Sequence, residues 1–169
     1  DVRMTKDKQL IVFHDEDMKR MFGLDTVIQS LSLGEIYAMN LNYHIPTFQQ
    51  ALDLIKDQVD IIVEIKHGGD IHTLCQLVYN TLLTYDGTFS IESFHPGIVY
   101  WFKKHAPEVE RGQLLMSIAE YDYFSLGLFM MSHLTSLFTK PHFYAYRKEL
   151  GKTKLARLLL NAGNSYIVS

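Results

Sequence analysis

Strand-like runs that alternate with helical patterns are the feature that most restricts how this chain can fold. Each run is short and rich in branched or aromatic residues, as buried strands are. The runs cover Leu10–Phe13, Asp60–Ile65, Thr88–Ser93, Arg111–Leu115, His142–Tyr146 and Ser165–Ser169. From the second onward they recur roughly every 20 to 30 residues, with helical patterns in most of the gaps. This alternation predicts right-handed crossovers and a parallel sheet.

Helix boundary signals fit the same architecture. Thr47 and Gln50 can form a capping box behind Pro46, and Asp70 is a candidate cap for an amphipathic pattern. The predicted helices are Thr47–Lys56, Ile71–Leu83, Gly97–His105 and Lys152–Leu160.

Polar residues at the strand ends distinguish between two parallel architectures. A doubly wound sheet usually begins with a glycine-rich turn, which this sequence lacks. In a (β/α)8 TIM-type barrel, functional residues stand at the C-terminal ends of many strands. The strand-end candidates are His14, Glu64, Lys66, Glu92, Ser93 and His95. We therefore expect an α/β barrel that forms a single domain over 1–169, with a small excursion around 16–59.

The number of strand-like runs is too small for a complete barrel. Six runs cannot close an eight-stranded barrel, and the chain opens on Asp1-Val2-Arg3, which resembles the end of a strand. We expect the first and last strands of the barrel to be missing from this chain.

Composition excludes several classes of function. The chain has 169 residues, 47% of them hydrophobic, and a net charge of −3, so it can bury a substantial core but has no broad basic surface for nucleic acid. The single cysteine, Cys75, forms no internal disulfide and fits a reducing compartment, so we expect a cytoplasmic protein. We interpret Cys75 as a small buried group on a helix rather than a nucleophile.

The longest apolar stretch is Tyr123–Phe138, which polar residues interrupt and which is shorter than a bilayer crossing requires. A buried helix or a flap beside the substrate is the favoured interpretation, and contact with a membrane surface is the alternative. The oligomeric state stays open.

Ionisable residues follow two of the buried runs. His14 and Asp15 come directly after Leu10–Phe13, and Glu64 and Lys66 stand two apart on one face of the second strand. Imidazole, carboxylate and ammonium groups at neighbouring strand ends suit a phosphate oxyanion. The alternatives are a surface histidine and a simple ion pair, although burying both charges of that pair without a ligand would be costly.

Five short elements in this order resemble the glycerophosphodiester phosphodiesterase family. Asp1–Asp7 resembles the end of the family's Glu-x-Asp block, and Val12–Asp15 resembles its His-Asp element. Ile45–Phe48 resembles a helix start of the family, Glu64–Lys66 its Glu-x-Lys strand, and Ser93–Phe94 its Ser-Phe strand end. Each element alone is weak evidence, but five in order over nearly the whole chain are strong evidence.

The resemblance implies roles for particular residues. It implies one divalent cation, Mg²⁺ or Ca²⁺, with Asp1 and Glu64 as metal ligands and a further acid expected before residue 1. His14 matches one of two catalytic histidines, and the other is expected on the missing first strand. Lys66 matches a lysine near the substrate phosphate. Asp15, which is placed to orient His14, and Ser93 are candidates for supporting the site.

The implied reaction is metal-assisted hydrolysis of a small-molecule glycerophosphodiester to sn-glycerol 3-phosphate and an alcohol such as choline, ethanolamine or glycerol. Two alternatives stay open. A sphingomyelinase-type phospholipase D shares the barrel, but it tends to use an aspartate as its third metal ligand and lacks a long segment such as the one between His14 and Glu64. A phosphodiester-binding barrel without catalytic activity is the other alternative.

Overall fold

The structure is a computed structural model that describes residues 1–115, 135–146 and 165–168. The chain divides into two compact units, Asp1–Thr88 and Phe89–Ser169. The expectation of one domain over 1–169 stays a prediction.

The first unit begins with a two-stranded antiparallel hairpin. Strand β1 (Val2–Met4) pairs with β2 (Leu10–Val12), with Val2 opposite Val12 and Met4 opposite Leu10. The prediction of parallel strands is therefore wrong for the first strand-like run, Leu10–Phe13, which pairs with β1 in antiparallel fashion. The reason is the length of the connection, because parallel neighbours need a crossover of a dozen or more residues and only residues 5–9 join these strands.

The segment between the hairpin and the next strand carries a small core of its own. It contains the helices α1 (Lys19–Phe22), α2 (Leu33–Ala38) and α3 (Phe48–Ile55), and a 3₁₀ turn at Ile28–Ser30. The buried residues of this core are Ile11, Phe13, Met18, Ile28, Ile36 and Ile45. Because Ile11 lies in β2 and Phe13 directly follows it, the segment packs against the hairpin.

Strand β3 (Ile61–Glu64) and helix α4 (Ile71–Leu82) complete the first unit. The predicted caps are confirmed: the Thr47 hydroxyl accepts from the amide of Gln50 at the start of α3, and the Asp70 carboxylate accepts from the amides of His72 and Thr73 at the start of α4. Side chains thus satisfy amide groups that a helix start leaves without partners.

The second unit contains a parallel sheet. Strands β4 (Phe89–Ser93), β5 (Glu110–Leu115), β6 (Phe143–Tyr146) and β7 (Ser165–Val168) pair in that order, each parallel to the next. Helix α5 (Pro96–His105) connects β4 to β5 and buries Ile98, Val99, Trp101 and Phe102. The predicted strands and parallel order are confirmed for this unit.

Two predictions fall wholly or mainly outside the described residues. The helix predicted at Lys152–Leu160 lies outside them, as does the apolar stretch Tyr123–Phe138 except for its last four residues. Among the residues that the structure describes, no helix is long and apolar enough to cross a membrane.

We expect Thr47→Ala to lower the free energy of unfolding by about 1 kcal/mol, because the variant loses the cap at the start of α3. Urea unfolding followed by circular dichroism measures this change. Thr47→Ser keeps the hydroxyl and should stay within about 0.5 kcal/mol of the parent protein. Equal loss in both variants would mean that the threonine methyl group, and not the capping bond, is responsible.

Cys75 should resist thiol reagents in the folded protein. Its side chain is fully buried on α4, and burial raises the pKa of the thiol to about 12, so almost no thiolate is present near neutral pH. Labelling with a chromogenic disulfide at pH 8 should be slow in buffer and rapid in concentrated urea. Rapid labelling in buffer would contradict the burial of this helix face.

Candidate active site

The parallel approach of β3 to β1 assembles the first group of candidate residues. Val2 and Ile65 form a parallel bridge, and the amide of Lys66 donates to the carbonyl of Val2 at 3.0 Å. Asp1, one residue before Val2, is thereby brought alongside the end of β3. The sequence associates Asp1 with Glu64 only through the family resemblance, whereas the backbone pairing accounts for their proximity.

Lys66 forms ion pairs with both candidate metal ligands. Its Nζ lies 2.6 Å from Glu64 Oε1 and 3.2 Å from Asp1 Oδ1. The side chains of Lys66 and Glu64 are 11% and 17% exposed, while that of Asp1 is 30% exposed. The structure therefore brings together three of the predicted site residues in a partly buried cluster with one net negative charge.

The two carboxylates fit part of the ligand set of a hard divalent cation. Oxygen ligands are what Mg²⁺ and Ca²⁺ prefer. Glu64 Oε1 is buried, and the Lys66 ammonium at 2.6 Å compensates its charge. One ammonium between two carboxylates leaves one negative charge, which a divalent cation could compensate. Within the described parts of the chain, no group of three His, Cys, Asp or Glu side chains is arranged to hold a metal, so Asp1 and Glu64 account for only part of a coordination shell.

His14 stands beside Asp1 at the same end of the hairpin. The amide of Phe13 donates to the carbonyl of Asp1 at 3.1 Å, which fixes the start of the segment that carries His14. The His14 side chain is 61% exposed, so a ligand can approach the ring from solvent. Its Nδ1 lies 2.6 Å from Asp15 Oδ1.

Sequence reasoning missed Arg3 as a part of this region. Arg3 is buried in β1, and its guanidinium donates twice to the carbonyl of His14, from Nε at 3.1 Å and from Nη2 at 2.9 Å. Burial lowers the pKa of Arg3, although the carboxylates of Glu16, Asp15 and Glu64 oppose that shift. The only sequence signal was an arginine between Val2 and Met4 in an otherwise apolar strand, which implies a buried charge that needs partners.

Asp15 lies between His14 and an arginine. Arg20 donates to Asp15 through Nε at 2.6 Å and through Nη2 at 3.1 Å. The hydrogen bonds from Arg20 and from His14 lower the pKa of Asp15 from 3.8 to about 2. Asp15 is therefore a carboxylate near neutral pH.

Ser93 ends β4 in the second unit. It is buried, its hydroxyl accepts from the amide of His95 at 3.1 Å, and its carbonyl accepts from the Gln113 side chain at 3.0 Å. His95, in turn, caps α5 through Nδ1, which accepts from the amide of Gly97. These contacts fix Ser93 at the end of β4, directly before the turn to α5. Its role in supporting the site stays a prediction.

The hairpin with His14 at its end, the cluster of Asp1, Glu64 and Lys66, and the parallel sheet of the second unit fit a phosphodiester hydrolase of the α/β class. The sequence profile described as the glycerophosphoryl diester phosphodiesterase family matches residues 1–140. The chain belongs to this family, which confirms the predicted resemblance and enzyme class. Comparison with curated protein sequences gives no match.

Solved structures show the same fold. A glycerophosphodiester phosphodiesterase from Thermotoga maritima is 22% identical with a TM-score of 0.70, and the alignment covers 99% of this chain and 70% of that one. A glycerophosphodiester phosphodiesterase from Parabacteroides distasonis is 18% identical with a TM-score of 0.75 and coverages of 99% and 68%. An Oleispira antarctica phosphodiesterase, solved in complex with the product sn-glycerol-3-phosphate, is 17% identical with a TM-score of 0.77 and coverages of 99% and 70%.

The acid stability of the protein should report the contacts of Asp15. Because the pKa of Asp15 is lower in the folded chain than its ordinary 3.8, these contacts stabilise the fold above about pH 4, and the stabilisation is lost as the pH falls toward 2. The difference in unfolding free energy between the parent and Asp15→Asn should shrink as the pH falls from 4 to 2. Urea titrations at fixed pH values measure it. A difference that stays constant down to pH 2.5 would contradict the lowered pKa.

Proposed function

We propose that this protein hydrolyses glycerophosphodiesters to sn-glycerol 3-phosphate and an alcohol, with the help of one divalent cation, Mg²⁺ or Ca²⁺. The observation that carries the proposal is the cluster in which Asp1 and Glu64 both approach Lys66. The backbone bond between Phe13 and Asp1 brings the next residue, His14, to the same end of the hairpin, where its side chain is exposed. The sn-glycerol-3-phosphate bound to the Oleispira antarctica phosphodiesterase supports this class of substrate. We further propose that the fold is that of a (β/α)8 barrel and that the protein is cytoplasmic.

Asp1 and Glu64 are the proposed metal ligands. A divalent cation held there would supply positive charge to the phosphate oxygens as negative charge builds on them. Glu64 is anchored at the end of β3, while Asp1 is fixed by the bridge between β1 and β3. Both carboxylates are thus held by paired backbone rather than by loops, which favours a defined geometry.

Lys66 is the proposed phosphate-binding residue. Its ammonium is shared between Asp1 and Glu64, and this pairing holds a long side chain within the cluster. A phosphodiester carries one negative charge, and it competes for the same ammonium once the two carboxylates are otherwise compensated. Lys66 then binds a non-bridging phosphate oxygen as a point charge.

His14 is the proposed proton-transfer residue, either as the general acid for the leaving alcohol or as the general base for water. An imidazole can exchange a proton near neutral pH, and Nε2 is the nitrogen that does not face Asp15. When water attacks phosphorus, the bond to the alcohol oxygen breaks, and that oxygen takes up one proton. Asp15 is proposed to support His14, and Ser93 is a further proposed supporting residue.

His14→Ala should lower kcat by roughly 10²–10⁴-fold, because a positioned acid or base typically contributes that much. The ring is exposed and contributes little packing, so the melting temperature should change little. Release of glycerol 3-phosphate from glycerophosphocholine and glycerophosphoglycerol, with Mg²⁺, with Ca²⁺ and with chelator, measures this activity. His72→Ala, on the exposed first turn of α4, is the matched control and should keep parent activity.

Glu64→Gln should weaken metal affinity and activity together, because the amide keeps the shape but loses the charge. Titration calorimetry with Mg²⁺ and with Ca²⁺ gives the affinity. Glu110→Gln removes an exposed carboxylate of β5 and controls for the change in net charge. Lost activity with unaltered metal affinity would remove Glu64 from the ligand set. If folded parent protein released no glycerol 3-phosphate with either cation, the proposed function itself would be wrong.

A further inference from the structure

The main chain of His14 is fixed independently of its ring. The buried Arg3 guanidinium donates twice to the His14 carbonyl, and the preceding residue, Phe13, is tied to Asp1 through its amide. Only the two side-chain torsions of His14 are left to decide which ring nitrogen faces a substrate. The groups that touch the ring therefore determine its chemistry.

The ring contacts Asp15, its neighbour in the chain. Consecutive side chains of a regular strand point to opposite faces, so this contact requires the chain to leave extended geometry. It does so after Val12, where β2 ends and the chain bends at residues 15 and 16. The Asp15 Oδ1 then lies 2.6 Å from His14 Nδ1.

Arg20 holds the Asp15 carboxylate with two nitrogens. Nε donates to Oδ2 at 2.6 Å, and Nη2 donates to Oδ1 at 3.1 Å, so Oδ1 is shared between Arg20 and the His14 ring. A planar guanidinium that binds both oxygens fixes the plane of a carboxylate as well as its position. The orientation of Asp15, and with it the direction of its bond to His14, is therefore set by Arg20.

His14 and Arg20 are both close in sequence to residues of the same packed core. Phe13, next to His14, stacks on Phe22, two residues after Arg20, with ring centroids 6.2 Å apart and planes at 13°. Met18, just before α1, is fully buried. The exposed Arg20 side chain thus starts from a backbone whose position relative to His14 is fixed by buried contacts.

We propose that Arg20 is a positioning residue, which acts through Asp15 to turn the His14 imidazole so that Nδ1 faces Asp15 and Nε2 faces the substrate. With Asp15 ionised, the neutral ring carries its proton on Nδ1 and its lone pair on Nε2. The protonated ring donates from Nδ1 to Asp15 and presents the Nε2 proton outward. In both states the transferred proton is the one at Nε2. The kinetic consequence rests on the proposed function of His14, whereas the orientation of the ring does not.

The tautomer of His14 tests the orientation directly. In protein labelled with ¹⁵N-histidine, at pH 8.5 where imidazoles are neutral, the shifts of the two ring nitrogens report which one carries the proton. The parent should hold the proton on Nδ1, and Arg20→Ala should raise the share with the proton on Nε2. Arg20→Lys should lie between them, since an ammonium cannot bind both oxygens. The ring-nitrogen signals that disappear in His14→Gln are those of His14.

Lys19→Ala is the matched control. Lys19 is on the same helix, is similarly exposed, and forms an ion pair with Asp25 at 3.6 Å that does not reach His14. The control should keep the parent tautomer and the parent kcat. Arg20→Ala should lower kcat by roughly 10- to 100-fold with KM changed less than about 2-fold, because misorientation of a reacting group is costly while substrate binding is spared.

The outcomes separate the two proposals. If Arg20→Ala and Lys19→Ala have the same His14 tautomer and the same kcat, the contact between Arg20 and Asp15 is an ordinary surface ion pair. The inference is then overturned. A changed tautomer with unchanged kcat would overturn the catalytic consequence of the orientation. If the parent protein has no phosphodiesterase activity, the proposed function fails, and the tautomer measurement still decides whether Arg20 orients His14.

Discussion

The pairing of β1 on both of its edges is the constraint on which the first unit depends. One edge joins β2 in an antiparallel hairpin, and the other meets the end of β3 through the Val2–Ile65 bridge. The hairpin brings His14 to Asp1, and the bridge brings Glu64 and Lys66 to Asp1. A three-residue strand thus positions all the proposed functional residues of this unit, and Arg3 ties its interior to the carbonyl of His14.

Charge balance gives this arrangement its chemical character. One ammonium pairs with two carboxylates, so the partly buried cluster carries one uncompensated negative charge. A packed apolar replacement for such a cluster would often be as stable or more stable, so stability alone does not account for it. Binding of a cation and an anionic phosphodiester would compensate these charges. The cation would neutralise the carboxylates, and the phosphate would neutralise the lysine.

The sequence allowed the locally determined parts to be predicted. The caps at Thr47 and Asp70, the parallel strands of the second unit and the buried Cys75 depend on signals within one element or on a regular alternation of elements. The direction of β2 was misjudged because apolar content does not report strand direction, although the short turn before it was a usable signal. The contacts of Arg3 and Arg20 could not be predicted, since each joins residues whose proximity exists only after the chain has bent.

The long segment between His14 and Glu64 has a consequence for the entropy of loop closure. The closure cost rises by only about 0.6 kcal/mol for each doubling of loop length. A connection of this size therefore joins β2 to β3 at nearly the same entropic cost as a much shorter one. Its own buried cluster, with Met18, Ile28 and Ile36, offsets part of the cost of ordering it. Insertions on the exposed side of this segment should therefore be tolerated, whereas lengthening the five-residue turn of the hairpin would disturb the register that brings His14 to Asp1.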